Sequence, residues 1–142
     1  LWYLAIAIGY FAGNWHVTRY AARLGVHRMM VVGVSIQAVS AVVAWGAAYA
    51  GWWHPAWIFL PWAVLGYGQG LALPNVTASA VALAPNAAGA ASGLLGFGQQ
   101  LMGALSIQAM ALASTATPVP VATFVACASL FALAWLPLMR AR

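Results

Sequence analysis

RMMVVGVSIQAVSAVVAWGAAYA, residues 28–50, is the stretch on which the reading of the fold turns. After Arg28 it reaches Ala50 without another charge. As a helix it is roughly 34 Å long, enough to cross the ~30 Å hydrocarbon core of a bilayer. A buried helix of a soluble domain can also be this apolar, so the surroundings decide. They are of the same kind: across 142 residues there are 5 basic side chains, all arginine, and no Asp or Glu, with 65% hydrophobic residues and a mean hydropathy of +0.93. A water-soluble domain needs a charged surface, and 4% charged residues cannot supply one. Lipid is the expected solvent.

Carried outward, the same criterion divides the chain into helices at about 1–15, 28–50, 56–79, 87–113 and 119–139. The breaks hold turn residues, among them Gly51 and Pro55, then Pro85 and Asn86, then Pro118. Each of the last four segments has about 20 or more residues without a charge, as a bilayer helix requires. Residues 1–15 make only ~22 Å of helix, too short to span. They lack the charged leader and cleavage site of a signal peptide, so they read as a cut helix. The expected fold is all-α: a polytopic membrane bundle with one truncated and four full transmembrane helices, the C-terminal part of a longer protein whose N-terminal half is missing. A transmembrane barrel would need short strands of alternating polarity, and no such alternation is present.

The net charge of +5 does not indicate nucleic-acid binding, because the arginines form no continuous stripe. Arg19, Arg23 and Arg28 fall near one another, and Arg140 and Arg142 close the chain. Four spans separate the two groups, which therefore belong on one side, and the positive-inside bias makes that side the cytoplasm. The opposite loop carries Trp52 and Trp53, which with Trp45 and Trp57 form an expected aromatic belt at the outer interface. A cell membrane, with the C-terminus cytoplasmic, is the expected location. Arginine without lysine in an alanine-rich chain suggests a bacterium of high GC content.

Enzymatic groups are missing. There are no carboxylates for acid–base work, no G-x-S-x-G elbow and no phosphate-binding loop ending in lysine. No two of His16, His27 and His54 stand at i, i+4, and the topology separates His54 from the other two, so neither a metal nor another cofactor is expected. Cys127 lies in an apolar run and reads as a small hydrophobe.

Two kinds of pattern remain. Gly89, Gly93, Gly96, Gln100 and Gly103 share one helical face, Gly66 and Gly70 form a G-xxx-G, and Gly33, Gln37, Ser40 and Ala44 make a third small-residue stripe. Such faces let helix backbones approach closely, with direct substrate contact as the alternative use. Gln69, Asn75, Gln99, Gln100 and Gln108 are amides inside apolar segments. An amide in lipid is costly unless it finds a partner or water, so these either bond across helix contacts or line a polar cavity.

The stretch GNWHVTRYAARLGVHR (residues 13–28) resembles the basic inter-helix loop of the major facilitator superfamily, in which spaced arginines and an R-x-G-x-[RK] turn join two helices. Here Arg23 to Arg28 reads R-x-G-x-x-R, with the last basic residue displaced or replaced by His27. A second stretch, LPNVTASA (73–80) followed by APNAAGAASGLLG (84–96), is similar to the Bcr/CflA-type drug-resistance branch, which carries an Asn near one helix end and then P-x-x-A-G-x-A-S entering the next helix.

The resemblance runs along the whole chain and implies helices eight, in part, to twelve of a two-half transporter with its substrate site near the midplane between the halves. It implies that the tenth helix faces the central cavity, the eighth and eleventh flank the interface between halves, and the ninth and twelfth face lipid. Tyr67, Gln69, Gln99 and Gln100 become expected substrate-cavity residues. Arg19, Arg23, Gly25 and Arg28 become the gating loop, with Asn75 and Gly89 near the cytoplasmic closure and Pro74 as a flexible point. The implied function is multidrug efflux coupled to protons, for drug-like small molecules. The absence of a mid-membrane carboxylate puts the titrating group in the missing N-terminal half. A specific metabolite facilitator and a non-transporting helical packing module are the alternatives.

Overall fold

The computed structural model describes residues 2–113 and 116–139, with the backbone alone at 137–139; the basic tail at 140–142 lies outside the described residues. Five α-helices account for nearly all of it: α1 (Trp2–Leu24), α2 (Val26–Tyr49), α3 (Pro55–Ala82), α4 (Ala88–Ala111) and α5 (Val119–Met139), with a single 3₁₀ turn at Pro85–Ala87. No strand occurs among the described residues. Helices α2, α3 and α5 are long and apolar enough to cross a membrane. Helices α1 and α4 are of comparable length, at 23 and 24 residues. They are less apolar because α1 carries Asn14, His16, Arg19 and Arg23, and α4 carries three glutamines and five glycines.

The first helix differs from the sequence expectation. Residues 16–24, beyond the expected first helix, continue α1 to Leu24, where Gly25 ends it. The polar side chains there bond back to their own helix: Asn14 Nδ2 donates to the Tyr10 carbonyl at 3.2 Å and Thr18 Oγ1 to the Trp15 carbonyl at 2.8 Å. The connection to α2 is Gly25 alone, with φ of 82° and ψ of 139°, a backbone region that glycine occupies at little cost. The arginines therefore sit on two helix ends rather than in a loop.

Glycine sets the packing order. Helices α1 and α3 run parallel and cross where Gly9 and Gly13 meet Gly66 and Gly70. A Cβ on Gly66 would stand 2.8 Å from the Ile6 carbonyl oxygen, and one on Gly13 would collide with the Tyr67 carbonyl. On its other flank α3 packs antiparallel to α2 through Gly68 and Gly33. The small-residue stripe of α2 is buried there, with Gly33, Ser40 and Ala44 inside and Gln37 half-buried. Helix α5 covers the far side of α2, where Trp45 Nε1 donates to Thr123 Oγ1 at 3.1 Å. Helix α4 rests mainly on one edge of α3 and has no buried residue. The order across the bundle is α1, α3, α2, α5, with α4 at the side.

Candidate functional site

At the Gly25 end the bundle opens into a cavity of about 260 Å³ between α1, α2 and α3. Arg28, His16 and Tyr20 line its polar part; Met29, Val32 and Leu71 line the apolar part. The His16 ring stacks on Tyr20 with centroids 5.6 Å apart and meets the edge of Tyr67, also at 5.6 Å. Its Nδ1 lies 3.1 Å from the Ala12 carbonyl oxygen. Tyr67 thus lines the same cavity as Arg28, half-buried against His16.

Arg19, Arg23, Asn75 and Gly89, the other expected gating residues, do not line this cavity. Arg19 lies over the Trp15 ring at 5.7 Å, a cation–π contact on the surface of α1. Arg23 occupies the last turn of α1, where a cation complements the carbonyl end of the helix. Asn75 is only 4% exposed, and its amide is satisfied within α3, donating to the Leu71 carbonyl at 2.7 Å. Gly89 is exposed, with open space where a Cβ would stand.

The four expected cavity residues do not converge within these five helices. Gln69 follows Tyr67 by two positions, which turns it about 200° around the helix. It is exposed, and so are Gln99 and Gln100 on α4. None of the three lines a cavity described here, and none makes a hydrogen bond among the described residues.

A larger cavity, about 570 Å³, lies towards the Trp57 end between α2 and α3, walled by Val39, Ser40, Val43, Trp57, Leu60 and Val64. Sequence reasoning did not find it, because no motif joins its mostly apolar walls and only the packing of the two helices makes a space. It also assigned no site role to His16 and Tyr20, which lie within the 13–28 stretch and line one cavity with Arg28 once the Gly25 turn brings α2 back beside α1. Trp62 Nε1 is a buried donor with no partner. The residue lines a smaller space of about 140 Å³ with Ala44, Ala48 and Val121.

Among the described residues no group of three or more His, Cys, Asp or Glu is placed to hold a metal ion. Comparison with protein-family models, with curated proteins and with solved structures found no match.

Proposed function

We propose that the chain is the C-terminal part of a secondary active transporter of the major facilitator type, a proton-coupled multidrug efflux permease that works by alternating access in a bacterial inner membrane, with its C-terminus in the cytoplasm. The observation that carries this reading is the set of unpartnered amides. Gln69, Gln99 and Gln100 are exposed on apolar helices and bond to nothing described. In hydrocarbon each would be costly, so their faces look onto water or onto more polar protein. A transporter provides such a surface as its central cleft. The motifs at residues 13–28, 73–80 and 84–96 support the same assignment, and the 570 Å³ apolar space is of a size that takes drug-like molecules.

The residues then have separate tasks. Tyr67, Gln69, Gln99 and Gln100 contact cargo through ring faces and amides, which accept varied apolar cations without strict geometry. Arg19, Arg23, Gly25 and Arg28 form the cytoplasmic hinge, with Asn75 and Gly89 at the closure. Proton coupling requires a group that changes charge within the membrane; the sequence holds no Asp or Glu, and this reading assigns the coupling carboxylate to the N-terminal half. One observation favours a competing reading: the open glycine face of α4 would equally suit a helical module that packs against a partner.

Drug accumulation in cells making the intact protein separates these readings. Gln69→Ala and Arg23→Ala are each expected to raise intracellular drug towards the level of cells lacking the protein. Unaltered efflux in both variants removes the site assignments. In membranes, cysteines at positions 69 and 100 are expected to react with a water-soluble thiol reagent in a Cys127→Ser background; protection of both favours the packing module.

A further inference from the structure

Helices α1 and α2 hardly touch one another; each leans on α3. The gap between their Gly25 ends is the 260 Å³ cavity, closed behind by Tyr67 and Leu71. It is amphipathic along its length. Arg28 and Tyr20 line it towards the Gly25 end, His16 lies deeper against Tyr67, and the apolar side chains of Met29 and Val32 continue along α2 into the membrane-spanning part. No side chain of this sequence can neutralise Arg28, since it contains no Asp or Glu. Arg28 also lies in the first turn of α2, where the helix dipole disfavours a cation and where no acidic residue is present. An anion at this point would offset both costs, and an apolar tail would fill the groove below it.

We propose that this groove is a binding site for one anionic phospholipid of the adjacent leaflet, its phosphate held at Arg28 at the Gly25 end of the groove and an acyl chain lying along Met29, Val32 and Leu71. Charge complementarity selects the occupant: a cationic mouth at the headgroup level of a membrane-spanning helix meets phosphate there, and the apolar lining favours a tailed phosphate over a free one. The lipid bridges the end of α1 to the start of α2, where direct contact between the two is sparse. The inference requires only that α2 and α3 span a bilayer, and it stands whether or not the protein transports drugs.

Native mass spectrometry of the whole protein in detergent tests it, with dioleoyl phosphatidylglycerol, dioleoyl phosphatidylcholine and glycerol 3-phosphate as probes. One phosphatidylglycerol is expected to be retained, about tenfold more tightly than phosphatidylcholine, with glycerol 3-phosphate failing to displace it. Arg28→Gln is expected to remove about that tenfold preference, whereas Arg19→Gln, which deletes the same charge outside the groove, changes it less than about twofold. Both arginines are exposed, so neither variant threatens folding. Val32→Trp, which fills the groove at a half-exposed position, is expected to lower retention, and Val39→Trp farther along α2 is not. Equal losses from Arg28→Gln and Arg19→Gln would reduce the effect to general surface charge and overturn the site. Equal retention of both lipids would overturn it too, and displacement by glycerol 3-phosphate would show a free-phosphate site instead.

Discussion

A Cβ placed on Gly68 would stand 2.6 Å from the Gly33 carbonyl oxygen and 3.0 Å from the Gln37 backbone nitrogen, and backbone atoms cannot step aside as a flexible side chain can. Gly68→Val is therefore expected to force α2 from α3 and cost about 1–3 kcal/mol, read as a lower thermal midpoint of the detergent-solubilised protein. Trp62 presents the opposite case. Its indole N–H is buried and unbonded, a cost of about 1–3 kcal/mol in mutational terms. Trp62→Phe removes that donor and keeps most of the ring, so the same melt should show stability unchanged or raised. A clear loss would mean that the N–H finds an acceptor outside these five helices. Neither residue was distinguishable in the sequence: Gly68 falls between the two glycines of the G-xxx-G, and Trp62 is one of eight tryptophans.

The glycine-bearing helices make the same point about elements. Helices α2, α3 and α4 all carry small residues at helical spacing, and the sequence reading treated the three stripes alike. In the structure the stripes of α2 and α3 are compressed against neighbouring backbone, and α1 joins them through Gly9 and Gly13. On α4, Gly89, Gly93, Gly96 and Gly103 have nothing within 4 Å of a Cβ position. A stripe states that close approach is permitted; it does not state which helix approaches. Gly93→Leu is accordingly expected to leave the melting of the α1–α3–α2–α5 core unchanged. If the proposed N-terminal half covers α4, the substitution should still abolish efflux by the whole protein, a combination that stability and accumulation assays together would reveal. The boundary of α1 has a different lesson. Three spaced arginines suggested a loop, yet arginine is a good helix former, and only Gly25 ends the helix.

Across the bundle, the start of α2 and the end of α5 lie at one end: Met30 and Val34 share a cavity with Trp135 and Leu136. The tryptophan-bearing turn lies at the other, where Trp52 and Trp57 pack with centroids 5.0 Å apart and Trp53 Nε1 donates to the Ala48 carbonyl at 3.2 Å. Cysteines introduced at Tyr20 and Ala141 are thus expected to react with an impermeant label from the same side of the membrane, and one at Trp53 from the other. Labelling of positions 20 and 141 from opposite sides would break the topology.

The all-helical class and the lipid-compatible surface were decided by composition, because a chain with no acidic residues and so few arginines has nothing with which to face water, and transfer of apolar side chains needs no knowledge of neighbours. Which helix lies against which, the placing of His16, Tyr20 and Arg28 around one cavity, and the scattering of Tyr67, Gln69, Gln99 and Gln100 to separate faces were decided only by tertiary packing. Those outcomes depend on where backbones separated by dozens of residues can approach within van der Waals distance, and helical periodicity within one segment carries no information about the partner that will occupy its face.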